Sequence, residues 1–413
     1  MSLFESSSLV VTPNGAKASK LYAIKPTDGS GDLSVTRATT ARRVNNAGLI
    51  ESVASNVPRL DYLNSTCPSI LVEPQRTNVQ TYSEDFSNAI YIKIGATVTT
   101  NAIAAPDGNT TADKLVEDTS TGLHAIDIIN PPVTLADYTI SVFVKAAERS
   151  KFQISEVFTV GGNVTFDLTA VTATSTAPAK NGKIENYGNG WYKCSATWPN
   201  LTGASTQILF TILNNSGASS YTGTSGSGLY LWGAQLELGS YSTSYIPTTT
   251  AAVTRNADVI NKTSVSSLIG QTEGTLYAEI KVNKLIGTAS RYIFHVSDGT
   301  ANNRIYIAFS GSSSNVLRAR IFNGGTLQCS IDTSAITTTG TYKLALAYKN
   351  NDIVFYINGV QIGTDTSATI PTCSRVDIGQ NYAGASQFSD NVSLSTLFKT
   401  RLTNDVLSTL TTL

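Results

Sequence analysis

The chain has 413 residues, of which 41% are hydrophobic and 14% charged, and its net charge at neutral pH is zero. The charged fraction lies well below the ~25% usual for soluble domains, and Ser, Thr, Asn and Gly fill the gap. This balance excludes the clustered cations that displace counterions from nucleic acid, and no apolar run approaches the ~20 residues of a helical membrane span.

A chain of this length is expected to form two or three domains. Its four cysteines, Cys67, Cys194, Cys329 and Cys373, are scattered. Zinc sites need ligands at short paired spacings, which are missing here. The opening MSLFESSSLVV lacks the basic flank and cleavage site of a signal peptide.

Residues 1–80 read as the least regular part. Strand-like pieces at Leu9–Thr12, Leu21–Ile24 and Leu33–Thr36 are short, and Pro58, Pro68 and Pro74 interrupt any long element. Such a segment buries little core by itself. It is expected to pack on another domain, on copies of itself or on a partner particle.

From 81 to 250 the apolar residues alternate. Ile140, Val142 and Val144 share a face, as do Val164, Phe166 and Leu168, then Tyr192, Cys194, Ala196 and Trp198, then Ile208, Phe210 and Ile212. In LYLWGAQLE the same rule sets Tyr230, Trp232, Ala234 and Leu236 on one side. Period-two alternation between turn residues predicts an antiparallel sandwich. The strand order resembles the jelly-roll carbohydrate-binding modules of glycan-active enzymes.

Tyr245–Val259 reads as a connector, and alternation resumes at Glu273 in GTLYAEIKV, RYIFHVSDG, NRIYIAFS, VLRARIFN and TYKLALAYK. Asn350–Asp352 and Asn358-Gly359 predict hairpin turns, the latter because both central residues of a type I′ turn need positive φ. Over 251–413 this succession resembles laminin-G-like, concanavalin-type sandwiches, with LTNDVLSTLTTL as a short closing helix capped by Thr403 or Asn404. The expected fold is therefore all-β: two antiparallel sandwiches, jelly roll then concanavalin-like, after an irregular N-terminal segment.

Chemistry is sparse. His295, in phase with Ile293, reads as a packed or edge residue, and nothing near His124 provides the oriented base of a triad. Glu117, Asp118, Asp127, Glu148, Glu156 and Asp167 are the acids from which a glycan-cleaving pair would be drawn. Glu156, in phase with Phe152 and Ile154, reads as a buried structural acid. Asp107, Asn109 and Asp113 form the one cluster that suits calcium, and Asx turns explain it equally well. No other cofactor is expected. Trp191, after the turn Asn186–Gly190, and Tyr221, in the loop SSYTGTSGSG, are the aromatic candidates for glycan contact. Arg76 and Asn78, with Arg255 and Asn256, recur as R-T-N and T-R-N. They are expected to lock chain junctions by planar hydrogen bonds.

LIESVASNVPRLDY, LVEPQRTN, YLWGAQLELGSYSTSYIPTT and VTRNAD, in that order between Arg37 and Ile260, together resemble a segment family of tailed-bacteriophage structural proteins, especially fibres and appendages. That resemblance implies a non-enzymatic virion protein, made in the bacterial cytoplasm and displayed on the particle surface. It implies a homotrimer, a head fibre, capsid decoration or tail appendage, anchored to capsid or tail through its N-terminal region and projecting its sandwiches toward host-surface polysaccharide. A glycan-cleaving tailspike and a non-virion adhesin are the alternatives. The expected divisions are 1–80 for attachment, 81–250 for the jelly roll and 251–413 for the concanavalin-like sandwich.

Overall fold

Alternating segments become antiparallel strands, and the chain is all-β apart from short helical turns and one closing helix. The computed structural model describes residues 2–129, 131, 133–202 and 206–413. Two units form: Val44–Ser52 with Arg76–Arg255, and Met1–Arg43 with Val53–Gln75 and Asn256–Leu413.

The first unit is the jelly-roll sandwich. One six-stranded sheet runs Ala96–Ile103, Ala112–Glu117, Gly228–Leu238, Ala136–Ala146, Trp191–Leu201, Lys180–Asn186. The other runs Thr172–Thr176, Asn163–Asp167, Lys151–Glu156, Gln207–Leu213, Ala125–Ile129, Tyr91–Ile94. Ile140, Val142, Val144, Phe166, Cys194, Trp198 and Phe210 meet in the core between them, because alternate side chains of a strand face one side. Burial pushes the Cys194 thiol far up, as suits a small hydrophobe.

The expected alternation breaks within Gly228–Leu238. Leu229 and Leu231 enter the core, yet so do Ala234 and Leu236, so the expected single phase is corrected. Gly233 has φ +66° beside a register shift between Ser141 and Phe143. This bulge inserts one residue and flips the phase. Trp232 thereby turns to the opposite face, 5.4 Å from the Phe143 ring and 4.6 Å from Tyr245. The segment after the strand folds back over that face. Thr243 donates from its nitrogen to Glu237 Oε1 (2.8 Å) and from its hydroxyl to Oε2 (2.7 Å), and the Ile246 nitrogen donates to Gln235 Oε1 (2.7 Å).

The second unit is the concanavalin-like sandwich. Its strand path is Thr326–Ala335, Val316–Asn323, Arg304–Phe309, Arg291–Ser297, Arg375–Ile378, Val259–Lys262, Leu33–Thr36, Lys20–Lys25, Ser7–Lys17, Asp390–Phe398, Glu273–Val282, Gly340–Lys349, Ile353–Ile357, Val360–Asp365. Leu276, Ile280, Phe294, Ile305, Ile307, Leu344 and Phe355 fill its core. The two ends of the path approach closely enough that a Cβ on Gly363 would lie 2.9 Å from Ile331 Cγ2. Asn358 (φ +48°) and Gly359 (φ +82°) make the positive-φ hairpin turn. Asn404–Thr411 is the closing helix, and it buries Leu407.

The expected division at residue 80 is corrected here. Leu9, Val11, Leu21, Leu33, Val35, Ile70 and Val72 belong to the same core as Ile260, Leu276 and Phe294. Thr36 pairs with Val259, Val11 with Ser395 and Ile70 with Val392. The N-terminal pieces are short because they are interior strands of a sheet completed by distant sequence. They are not an appendage with a structure of its own.

Charges from three of the quoted sequence motifs, together with Arg37, converge inside this unit. Asp258 Oδ1 accepts from Arg37 Nη1 at 2.9 Å, and Asp258 Oδ2 accepts from the Glu73 nitrogen at 3.0 Å and from Arg59. Arg59 also donates to Glu73 Oε2 at 2.7 Å. All four side chains are buried. Low-dielectric burial of charges demands this mutual neutralisation.

Candidate functional site

The sandwich sheet bearing residues 291–323 has a second face, turned away from the core. A register shift between Tyr292 and Phe294 sends both Ile293 and Phe294 into the core. His295 then falls out of phase with Ile293, which corrects the sequence expectation, and shares the outer face with Tyr292. Across the strands the pairing runs Arg320–Tyr306–His295–Asp377. One row further along, Arg304 pairs with Phe322.

These side chains form one connected cluster. Ring centroids lie 4.8 Å apart for Tyr292 and Tyr306, 5.5 Å for Tyr292 and His295, 6.0 Å for His295 and Tyr382, and 6.4 Å for Tyr306 and Phe322. The Arg304 guanidinium lies 4.1 Å over the Phe322 ring and 5.7 Å from the Tyr306 ring. Arg375 grips Asp377 through Nε (2.9 Å) and Nη2 (2.6 Å), and Gln380 Nε2 donates to Asp377 Oδ1 at 3.1 Å. Arg320 lies 2.6 Å and Arg318 3.5 Å from Asp332.

The cluster is layered. His295, Asp377 and Gln380 are fully buried, while Tyr292, Arg304, Arg318, Phe322, Arg375 and Tyr382 above them are half-exposed. His295 Nδ1 stands 3.5 Å from Asp377 Oδ2, too far for a good hydrogen bond, and neither ring nitrogen has a hydrogen-bond partner. Burial pushes its pKa below the ordinary histidine value despite the carboxylate, helped by the nearby Arg304 and Arg375 charges. Burial likewise pushes the Tyr306 phenol up. Aromatic faces beside a planar fork of donors and acceptors suit a polyhydroxylated ligand: C–H faces lie on rings, and hydroxyls bond to guanidinium and carboxylate.

The residues expected from sequence lie elsewhere. Trp191 is 2% exposed and donates from Nε1 to the Ala104 carbonyl at 3.1 Å. Its expected exposure is corrected, because both faces of its strand are covered. Tyr221 is half-buried and donates its hydroxyl to Glu117 at 2.6 Å. Glu117 also receives Arg149 Nε at 3.0 Å and the Thr224 nitrogen at 2.7 Å. Burial alone would raise the Glu117 pKa, but these donors hold it below the ordinary value. Glu156 binds the nitrogens of Thr159, Val160 and Gly161 at 2.9, 2.8 and 2.6 Å, a loop anchor with no second carboxylate bonded to it.

The calcium candidates do not fit a metal. Asp107 binds the backbone and side chain of Asn109 in an Asx turn. Asp113 spends one oxygen on the Phe86 nitrogen (2.9 Å) and the other on the Asn101 nitrogen (2.9 Å). Among the described residues no group of three or more His, Cys, Asp or Glu assembles for a metal ion.

Asn78 donates to the carbonyls of Ala234 (3.1 Å) and Ile246 (2.9 Å) and accepts from the nitrogens of Gln80 and Leu236 (both 3.0 Å). Arg255 donates to Ser244 Oγ at 2.8 Å, and Arg76 stacks 4.9 Å from the Tyr241 ring. Asn256 Nδ2 donates to Gln75 Oε1 at 3.2 Å. Sequence reasoning missed Arg37, Arg59, Glu73 and Asp258 in this role, although the last three stand in the quoted motifs. It also missed Tyr292, Arg304, Tyr306 and Phe322. Their signal was the aromatic and cationic residues at alternate positions of RYIFHVS, NRIYIAF and VLRARIF, which was masked by the bulge.

Residues 255–408 match the family model of the concanavalin A-like lectin/glucanases superfamily, laminin-G type. No curated protein matches the chain. Among solved structures it is similar to a leech intramolecular trans-sialidase complexed with 2,7-anhydro-Neu5Ac, at 18% identity and TM-score 0.30, over 34% of this chain and 23% of that one. It is similar to the CBM40 of the Ruminococcus gnavus IT-sialidase bound to α2,3-sialyllactose, at 17% identity and TM-score 0.32, over 37% of this chain and 91% of that one. It is also similar to domain 4 of a GH43 extracellular arabinanase from Geobacillus stearothermophilus in complex with arabinotriose, at 15% identity and TM-score 0.30, over 41% and 82%. At these TM-scores the likenesses carry no argument about ligand or activity.

Proposed function

We propose that this chain is a non-catalytic, glycan-recognising structural protein of a tailed-phage particle. The observation that carries glycan recognition is the face of Tyr292, Arg304, Tyr306, Phe322 and Arg375 on the sandwich matched to the lectin/glucanase superfamily. A ligand rich in hydroxyls and flat C–H faces is the chemistry such a surface takes. The virion role rests on the ordered motif resemblance between Arg37 and Ile260, and on a neutral surface rich in Ser, Thr, Asn and Gly. The particle position is a head fibre, capsid decoration or tail appendage, with homotrimeric assembly and display at the virion surface. Attachment to capsid or tail is assigned to the N-terminal region; because its strands lie within the second sandwich, the anchoring surface belongs to that unit.

Two measurements test this. Antibody against the second sandwich, imaged on purified particles of a phage encoding the chain, labels particle surfaces; unlabelled particles reject the virion role. Binding of the full chain to immobilised host-surface polysaccharide weakens at least tenfold in Tyr292→Ala and Phe322→Ala; unchanged binding moves recognition off this face.

A further inference from the structure

The charges on this face are unequal, and the inequality singles out one residue. Four guanidiniums lie on it: Arg304, Arg318, Arg320 and Arg375. Two carboxylates answer them. Asp377 is held by Arg375, and Asp332 by Arg320 and Arg318. Arg304 has no ion pair and no hydrogen bond among the described residues, and its Nε is buried without a partner. It is not a mobile surface arginine either, since its guanidinium is stacked 4.1 Å over Phe322. Stacking leaves the edge of the planar fork available, and that edge matches a carboxylate bidentately.

The surroundings reinforce the sign. The adjacent His295 is buried with both ring nitrogens lacking a hydrogen-bond partner, so it offers Arg304 no acceptor that would compete with a ligand. The carboxylate nearest to that ring, Asp377, is already occupied by Arg375 and Gln380. Arg304 is half-exposed, with its buried Nε unpartnered and its guanidinium stacked and without a carboxylate, so a ligand anion would complete a hydrogen-bonding edge that the fold leaves open.

We propose that this face selects acidic saccharides and that Arg304 receives the sugar carboxylate, with Tyr292, Tyr306 and Phe322 supporting the ring. The proposal rests on the glycan-recognition reading above and narrows it to uronic or nonulosonic acid units.

The test uses the full chain and two immobilised panels. One contains galacturonan, alginate, hyaluronan and polysialic acid, each native and after chemical reduction of its carboxylates to alcohols. The other contains neutral dextran, galactan and mannan. The expected result is binding to at least one native acidic polymer, at least tenfold weaker to its reduced form and at least tenfold weaker for Arg304→Ala, with partial recovery in Arg304→Lys. Lys180→Ala, an ion-paired cation of the jelly-roll unit, loses less than threefold. Circular dichroism melts confirm that each variant is folded, and Arg304→Gln replaces any that is not. Equal binding of native and reduced polymer, or full binding by Arg304→Ala, overturns the proposal. Binding to neutral polymers alone, lost in Phe322→Ala, overturns it while leaving glycan recognition standing. Binding to neither panel overturns both.

Discussion

Arg37 and Asp258 stand 221 positions apart and form a buried ion pair of 2.9 Å, with neither side chain more than 2% exposed. Asp258 is the shared acceptor of this pair and of Arg59, and it also takes the Glu73 nitrogen. It therefore ties Arg37, at the end of an N-terminal strand, to the strand Val259–Lys262. Loop-closure entropy between such distant segments is large, and the charge network fixes their register.

Asp258→Ala leaves two buried guanidiniums with one carboxylate between them. Removing one partner of a buried pair costs about 3–5 kcal/mol. Urea unfolding followed by far-ultraviolet circular dichroism is expected to show that loss. A change below about 1 kcal/mol would mean that water or backbone carbonyls replace the carboxylate.

Asn78→Ala strips four hydrogen bonds from a side chain fully buried in the jelly-roll unit. Orphaned buried groups cost about 1–3 kcal/mol each, so a destabilisation on the order of 3 kcal/mol is expected. All three tryptophans, Trp191, Trp198 and Trp232, lie between residues 76 and 255. Tryptophan fluorescence therefore reports this unit alone, and its unfolding midpoint should move with the variant.

Gly233→Ala places a Cβ 3.0 Å from Phe143 Cδ2 at φ +66°. Left-handed backbone costs a non-glycine residue about 1–2 kcal/mol, and the contact adds to it. The expected readout is a lower thermal midpoint by tryptophan fluorescence. An unchanged midpoint would show that the bulge accepts a side chain.

Trp191→Ala and Tyr292→Ala should separate stability from binding. Loss of the buried indole costs about 3–5 kcal/mol and leaves polysaccharide affinity of the folded fraction unchanged. Tyr292→Ala does the reverse. Affinity measurements below the unfolding temperature of each variant check this; lost affinity in folded Trp191→Ala would restore that residue as a contact.

Acid should affect the two units over different ranges. Glu117 and Glu156 have pKa values lowered in the fold by their donors, with burial opposing. Their stabilisation is present above the ordinary carboxylate value and disappears as pH falls through the lowered ones. His295 is also lowered, by burial. Below about 6.5 the unfolded chain takes up a proton that the folded one refuses, so stability falls with pH from there. Asp127 is raised by burial, and its Oδ1 lacks a partner. Asp127→Asn should therefore raise the thermal midpoint at pH 7, with the gain vanishing well below pH 4. Melting curves from pH 3 to 8, read by circular dichroism and by tryptophan fluorescence, check each direction. A tryptophan transition that weakens already near pH 6.5 would contradict the assignment.

Much of the fold was legible because alternation is local. Ile140 to Val144, Val164 to Leu168 and the Asn358-Gly359 turn each carry their conformation in adjacent residues. The binding face was not legible. One extra residue near Tyr292 and another near Gly233 reverse which side chains face the core, and the parity of a strand beyond a bulge is not written in its composition.

What sequence alone determined is the all-β class, the hairpins and the placement of most core residues, since these depend on periodicities of two to four positions. What tertiary structure decided is partnership: that Leu9, Val35 and Ile70 complete a sheet with residues beyond 250, that Asp258 neutralises Arg37 and Arg59, and that Arg304 is left unpaired above Phe322. Long-range pairing and charge balance depend on which distant segments become neighbours, and that is settled only when the whole core closes.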